Sequence, residues 1–230
     1  MLEGLSVGRS RGVREMYPVV MSLKNLVRTG WMLRGVPPSI GETVASHTFE
    51  VVFLSMLVAD RLRSAGAEVD VGKVLKMALL HDVPEAVEGD IVKWSKDRIG
   101  GAASSLDAEA MAAVGLREYA HLVEEVEALG SIEAEIVKLS DNLATMLQAM
   151  RYLRAGFPAV KEIRDSCEEV VKEALKSFPR LPKYRSVVEA VINDVVAQER
   201  RYLEHSSNSF KASSNAESTS ATLSRQPSLR

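Results

Sequence analysis

The sequence is poor in cysteine, in aromatic residues and in excess charge of either sign. One of its 230 residues is a cysteine, Cys167, so no disulfide can form within the chain. Its 29 Lys and Arg nearly balance 31 Asp and Glu, which leaves no long-range field to attract a nucleic acid polymer. No apolar run reaches the length of a membrane span, and the first residues lack the apolar core of a signal peptide. We therefore expect a cytoplasmic protein that binds neither a nucleic acid polymer nor a membrane.

The two ends of the sequence differ in composition from the middle. Residues 206–230 are rich in Ser, with scattered Thr, Ala and Asn, and cannot bury enough apolar surface to offset the entropy of ordering. This composition predicts a disordered tail, and the Gly and Arg of residues 1–15 predict a flexible leader. Residues 16–205 are long enough for one well-buried domain.

Apolar residues recur at helical spacing through most of this central domain. Asp70 is a candidate N-cap for a helix that ends near His81, and Pro84 favours a new helical turn. Alternating strand patterns are not evident, so the predicted fold class is all-α, a single helical bundle around one core. The other predicted helices cover residues 17–27, 44–64, 106–114, 116–129, 132–154, 158–177 and 183–203.

Four polar residues lie where these helices face or border the core. His81 and Asp82 follow the apolar run of the third helix, His47 lies on the apolar face of the second, and Asp141 lies inside the long helix. Burying such groups costs free energy unless something pairs with them. A divalent ion is the strongest partner, and mixed imidazole and carboxylate ligands suit Mn, Fe, Co, Ni or Zn. The four residues therefore predict a metal site in the interior of the bundle.

Each of these residues also has a simpler interpretation. A lone histidine on an apolar face is more often a satisfied core residue than a ligand. Asp141 lies three residues after Lys138, which can serve as its ion-pair partner. The combination of His81-Asp82 with an inward histidine upstream and an inward aspartate downstream is what favours the metal site.

The order His47, His81-Asp82, Asp141 resembles the HD-domain superfamily of metal-dependent phosphohydrolases, and within it the 5′-deoxynucleotidase branch. The run His-Asp-x-x-Glu-x-x-x-x-Asp is its most specific part. The resembling segments are residues 28–31 (RTGW), 42–47 (ETVASH), 80–91 (LHDVPEAVEGDI) and 133–141 (EAEIVKLSD).

The resemblance implies a role for each matching residue at the centre of the site. His47, His81, Asp82 and Asp141 would bind one divalent ion, such as Mn, Co or another first-row ion, with Mg as an alternative. Glu85, one turn beyond the His-Asp pair, would be the catalytic acid/base. The alternative for Glu85 is a solvated position after the helix.

The resemblance also implies substrate contacts. Asp90 would contact the sugar, and Trp31 would pack near the substrate. Bacterial members of the branch carry an arginine before this tryptophan, where this sequence has Gly30, so Arg28 or Arg34 is a candidate replacement. Lys96, in the basic segment after Asp90, is a second candidate for holding phosphate, although a solvated helix face is the commoner role for such a lysine.

The predicted function is removal of the 5′-phosphate from deoxyribonucleoside 5′-monophosphates by a water that the metal activates. A phosphohydrolase acting on a nucleoside triphosphate or a cyclic dinucleotide is an alternative, since HD-type sites serve these too. A non-catalytic, metal-stabilised helical binding module is another. The family and the spare apolar helix surface also suggest a homodimer.

Overall fold

The computed structural model describes the backbone of residues 13–100 and 102–223, and most of it is helical. In that part of the chain no strand is formed, and Val27 and Thr43 make an isolated antiparallel bridge. The all-α prediction is confirmed. The helices are α1 (Val13–Met21), α2 (Thr29–Met32), α3 (Val44–Ser64), α4 (Val71–Leu80), α5 (Glu85–Glu88), α6 (Lys93–Ile99), α7 (Ala102–Ala113), α8 (Ala120–Glu127), α9 (Ile132–Arg154), α10 (Lys161–Ser177) and α11 (Arg185–Leu223).

The long helix α9 is the central element of the bundle. It packs against α3, α4, α8 and α10, and apolar residues line it on more than one side, as is typical of a helix that is buried all round. Its bounds match the predicted helix of residues 132–154, because Ser131 caps its first turn by accepting a hydrogen bond from Ala134 N at 3.2 Å. Its fully buried apolar residues include Ile136, Val137, Leu139, Leu143 and Ala144.

Two capped helices pack beside α9. Thr43 caps α3, which spans the predicted residues 44–64, and its hydroxyl accepts from Ser46 N at 3.1 Å. Asp70 caps α4 as predicted, accepting from Lys73 N at 3.0 Å. Since an N-cap fixes where the first turn begins, these two residues set which side chains of α3 and α4 face inward.

The chain turns sharply between α4 and α6. His81 is the C-cap of α4, and Pro84 precedes the single turn α5, as the sequence predicts. Gly89 follows α5 with a φ of 77°, a backbone conformation that a side chain disfavours, and it redirects the chain toward Asp90. This turn keeps the predicted acidic motif within one compact region.

Several predicted bounds are wrong. The first helix is Val13–Met21 rather than residues 17–27, because the chain leaves the helix to form the bridge at Val27. The predicted leader therefore overlaps the start of α1 by three residues, and residues 1–12 lie outside the described part. The helices α2 and α6 were not predicted, since elements of four and seven residues are too short to show a clear period.

The last helix differs from the composition-based prediction for the tail. Residues up to Val191 form one compact unit, and residues from Ile192 onward form a second. The helix α11 continues to Leu223, past the predicted start of disorder at residue 206. Extending an existing helix is easier than nucleating one, so a weak helix-forming sequence can follow a strong one. Residues 224–230 lie outside the described part.

No helix among the residues that the structure describes is both long enough and apolar enough to cross a membrane.

Candidate metal centre and active site

Three helices bring the four predicted metal ligands together. His47 lies in the first turn of α3 and is fully buried. His81 and Asp82 lie where α4 ends, and Asp141 lies in the middle of α9. Because both α3 and α4 pack against α9, residues far apart in sequence meet at one place.

The distances between these side chains are short. His47 Nε2 lies 3.8 Å from Asp82 Oδ2, and His81 Nε2 lies 3.2 Å from the same oxygen. One nitrogen or oxygen from each of these three residues lies within 4.8 Å of the others. Asp141 adjoins this group through its Oδ1, 3.0 Å from His47 Nε2. Asp141 therefore lies beside the three-residue cluster, in contact with one of its histidines.

The ring of His81 is oriented toward this cluster by the backbone. Its Nδ1 lies 2.8 Å from the carbonyl oxygen of Ala78, so this nitrogen carries the ring proton and donates it. Its Nε2 is buried and makes no hydrogen bond. Nε2 and Asp82 Oδ2 thus face each other at 3.2 Å, and a divalent ion that displaces the proton between them would be held by both atoms. Nitrogen and carboxylate donors at this spacing fit a first-row divalent ion.

The carboxyl groups of Asp82 and of the adjoining Asp141 are held in their charged form. Burial alone would raise the pKa of Asp82, but the neighbouring His81 and His47 outweigh it and keep that pKa well below its usual value. Burial likewise acts to raise the pKa of Asp141, and His47 and Lys138 outweigh it, so the pKa is again well below the usual value. Lys138, which the sequence offered as a simple ion-pair partner of Asp141, therefore stabilises the Asp141 carboxylate together with His47.

The pKa of Glu85 is shifted in the opposite direction from those of Asp82 and Asp141. Burial, and then the charges of Asp82 and Asp90, raise its pKa to about 10, and Arg28 and Lys96 offset this only in part. Its Oε2 is buried and makes no hydrogen bond. A buried carboxyl that keeps its proton at neutral pH beside charged carboxylates has the properties of a general acid.

Arg28 lies within the site, and its guanidinium group is directed toward His47. Its Nη1 lies 3.0 Å from His47 Nδ1 and donates to Thr145 Oγ1 at 3.0 Å. Burial disfavours its charge, but Glu42, Asp82 and other acids outweigh burial and raise its pKa above the usual value. The guanidinium is therefore a permanent positive charge behind the metal cluster.

Trp31 and Asp90 are both engaged by the protein itself. Trp31 is only 1% exposed, and its Nε1 donates to Glu42 Oε2 at 2.8 Å. Asp90 accepts the backbone N–H of Thr29 on its carboxylate, and its carbonyl oxygen accepts from Thr29 Oγ1 at 2.9 Å. Asp90 thus ties the segment after α5 to the start of α2, while the indole of Trp31 packs in the interior, edge-on to Tyr152.

Lys96 faces the acidic side of the site. Burial disfavours its charge, but Asp107, Asp82 and Glu85 outweigh it, and its pKa is raised. The charge of Lys96 therefore interacts with the carboxyl groups of Asp82 and Glu85.

Two glutamates close to the site, Glu42 and Glu88, were not identified from the sequence. Glu42 is 8% exposed and lies between Trp31 and His47. Glu88 lies on α5, one turn after Glu85, with both carboxylate oxygens buried. The signal for Glu42 was present, since it belongs to the resembling segment before His47, but a single glutamate there does not reveal what it contacts.

The model of the HD domain family matches residues 20–181 of the sequence. The chain belongs to the HD domain family. The predicted resemblance is therefore confirmed, and the match covers the compact unit that carries the metal cluster.

Several known proteins resemble this HD domain. The 5′-deoxynucleotidase HDDC2 of Dictyostelium discoideum is 30% identical over 151 residues, 60% of this chain and 76% of that protein. The 5′-deoxynucleotidase HDDC2 of Danio rerio is 32% identical over 142 residues, 58% of this chain and 66% of that protein. A solved structure from Pyrococcus horikoshii OT3 is 31% identical, with a TM-score of 0.66 over 78% of this chain and 98% of that chain.

Proposed function

We propose that this protein is a metal-dependent phosphohydrolase that removes the 5′-phosphate from deoxyribonucleoside 5′-monophosphates. The observation that carries the proposal is the buried Nε2 of His81, which has no hydrogen bond and faces Asp82 and His47 within 4.8 Å. The likeness to proteins named 5′-deoxynucleotidases supports the choice of substrate.

The metal would be held by His47, His81, Asp82 and Asp141, and Mn or Co is the first choice, with Mg as an alternative. When bound, such an ion lowers the pKa of a coordinated water and offsets negative charge on phosphoryl oxygens. The protein keeps the carboxylates of Asp82 and Asp141 charged, and it orients His81 through the carbonyl of Ala78.

Glu85 would be the proton donor of the reaction. Its raised pKa keeps a proton on the carboxyl group at neutral pH. That proton can be delivered to the 5′-oxygen of the departing nucleoside, which otherwise leaves as a strongly basic alkoxide. After transfer, Glu85 is a carboxylate that can take a proton from water and return to its starting form.

The substrate would be held by groups around this cluster. Lys96 and Arg28 supply positive charge for the phosphate. Asp90 uses Oδ2 to fix Thr29, and its other oxygen is the group that we propose to accept the 3′-hydroxyl. Trp31 would act from the interior by supporting the segment that carries Arg28, since its indole is buried.

The binding-module alternative accounts poorly for Glu85. A metal that only stabilises the fold needs closed coordination and no additional buried carboxyl beside it. The structure has such a carboxyl, without a hydrogen bond on its Oε2, next to the cluster. Hydrolysis of a triphosphate or a cyclic dinucleotide uses the same groups, so substrate assays must separate these activities.

A phosphate-release panel tests the proposal. Purified protein is stripped with a chelator, reloaded with Mn, Co or Mg, and given deoxyribonucleoside and ribonucleoside monophosphates, a deoxynucleoside triphosphate and a cyclic dinucleotide. We expect metal-dependent phosphate release from the deoxyribonucleoside monophosphates above all other substrates. Preference for the triphosphate or the cyclic dinucleotide would favour the alternative enzyme, and metal binding without turnover of any substrate would favour the binding module.

The homodimer and the cytoplasmic location remain predictions. Light scattering on the purified protein measures its mass in solution, and a mass near 25.2 kDa would contradict the homodimer.

A further inference from the structure

The two histidines of the cluster carry their ring protons on different nitrogens. In His81 the proton on Nδ1 is donated to Ala78, so Nε2 is the nitrogen that faces Asp82 and can bind a cation. In His47 the geometry indicates the reverse. Arg28 Nη1 lies 3.0 Å from its Nδ1, and a guanidinium group only donates. His47 Nδ1 is therefore the acceptor.

The proton of His47 thus lies on Nε2, where it is donated to Asp141 Oδ1 at 3.0 Å. A neutral imidazole has one ring proton, and a nitrogen that carries it cannot bind a metal ion. For His47 to bind an ion through Nε2, its proton must move to Nδ1, and Nδ1 then needs an acceptor because Arg28 cannot provide one.

Glu42 is placed to be that acceptor. Its Oε1 lies 3.8 Å from His47 Nδ1, and its side chain is 4% exposed. Its Oε2 accepts from Trp31 Nε1 at 2.8 Å, and its backbone N–H donates to Tyr152 OH at 2.6 Å. The backbone of Glu42 and its Oε2 are therefore held by Tyr152 and Trp31, and its Oε1 lies on the histidine side, where a small shift can bring it to His47 Nδ1.

Arg28 has alternative partners when Nδ1 becomes a donor. Its Nη1 already donates to Thr145 Oγ1 at 3.0 Å and lies 3.6 Å from Glu42 Oε2. Small movements of Arg28 away from His47 and of Glu42 toward it exchange one hydrogen bond for another without leaving a buried charge unpaired.

We propose that Glu42 is a positioning residue that holds His47 in the tautomer that can bind the metal. It accepts the Nδ1 proton of His47, and Trp31 and Tyr152 keep it in place. The inference rests on the metal centre of the proposed function and is independent of which nucleotide is hydrolysed.

The substitution Glu42→Gln tests this role. Trp31 Nε1 and His47 Nδ1 face different oxygens of Glu42, and an amide has an oxygen at only one of these two positions, so it can accept from one of the two donors but not from both. Loss of such a support typically weakens metal binding by ~10–100-fold. We expect a loss of this size in competition titrations of Zn or Co against a chromophoric chelator.

Glu50→Gln is the matched control. Glu50 lies on α3 three residues after His47, and its carboxylate binds Arg151 at 2.7 and 2.8 Å. Its replacement removes a comparable ion pair near the site without touching His47, so metal affinity should stay at the wild-type value.

Histidine ring ¹⁵N NMR separates positioning from a general loss of structure. In the Zn-loaded wild-type protein we expect His47 to carry its proton on Nδ1 with slow exchange, and in Glu42→Gln we expect faster exchange of that proton. Equal zinc affinity in wild type, Glu42→Gln and Glu50→Gln would overturn the inference while leaving the metal centre intact. Absence of metal binding by the wild-type protein would instead overturn the metal centre itself.

A second variant covers the case in which Glu42→Gln does not fold. Glu42→Asp keeps the charge but withdraws the carboxylate by one methylene group, so we expect metal binding between that of the wild type and the Gln variant. Wild-type affinity in a folded Glu42→Asp protein would contradict the proposed contact.

Discussion

Two buried glutamates, Glu135 and Glu85, differ in how many hydrogen bonds the protein makes to their carboxyl groups. Glu135, on α9, is fully buried, and all its acceptors are used. It takes the backbone N–H groups of Arg180 and Leu181 at 3.0 and 2.8 Å, and the guanidinium of Arg180 at 2.8 Å. Glu85, on α5, is also buried, yet its Oε2 has no hydrogen bond and its pKa is raised to about 10.

The difference separates a carboxylate whose contacts hold the fold, Glu135, from the proposed proton donor, Glu85. Glu135 connects α9 to the turn after α10, and each of its contacts helps to hold the fold. Glu85 has no such contact on Oε2, and an unpaired buried polar group costs stability. Burial alone therefore does not distinguish the two glutamates, whereas the lack of a hydrogen-bond partner on Glu85 Oε2 does.

The largest expected effect is at the metal cluster. Asp82→Ala removes the oxygen that both histidines face, so bound metal should fall from one ion per chain to near zero and phosphate release should cease. Elemental analysis of the dialysed protein and a phosphate assay measure both. Full metal content in this variant would show that the cluster is not the metal site.

The second largest effect is expected at Glu85, the proposed proton donor. Glu85→Gln keeps the shape of the side chain but cannot give up a proton, so we expect turnover to fall by roughly 10²–10⁴-fold with metal content unchanged. Glu88→Gln, on the same helical turn, is the control and should retain most activity at neutral pH. Equal turnover in the wild type and Glu85→Gln would mean that proton transfer uses another group.

Replacing glutamate by glutamine at Glu135 should lower the stability of the protein instead of its turnover. In Glu135→Gln the amide oxygen can keep the two backbone N–H groups that share Oε2, but an amide N–H₂ then faces the Arg180 guanidinium in place of Oε1. Losing this charged hydrogen bond should lower the free energy of unfolding by about 2 kcal/mol. Urea denaturation of metal-free protein measures this change. Glu85→Gln should cause no such loss, and a loss of similar size there would remove the distinction between the two glutamates.

The smallest effect concerns the pH dependence of stability. Burial, and then a hydrogen bond and the charge of Asp107, raise the pKa of Glu88 from 4.5 to about 7. Because the folded protein binds this proton more tightly than the unfolded chain, its contribution to stability is lost as pH rises from 4.5 through about 7.

Glu88→Gln should lack this decline. Urea midpoints at about pH 5 and about pH 8 measure it, with the difference between wild type and variant as the readout, since other groups also titrate. An identical change in both proteins would show that Glu88 does not titrate in this range.

Helix patterns were predictable from sequence where caps and periodicity act locally. The bounds of α3 and α9 follow from Thr43, Ser131 and the apolar spacing. Asp70 and Pro84 likewise mark the starts of α4 and α5. The short helices α2 and α6 were missed, because their conformation depends on neighbours such as the Thr29–Asp90 contact and not on a period of their own.

The identities of the four metal-ligand candidates also came from the sequence, because His47, His81, Asp82 and Asp141 stand at inward positions of helices whose periodicity is clear. Tertiary structure decided how these side chains are partnered. Hydrogen-bond partners depend on distances between residues far apart in the chain, such as the 19 positions from Arg28 to His47. The packing of the helices gives Glu135 its hydrogen-bond partners and leaves His81 Nε2 and Glu85 Oε2 without any. It also places Glu42 beside His47.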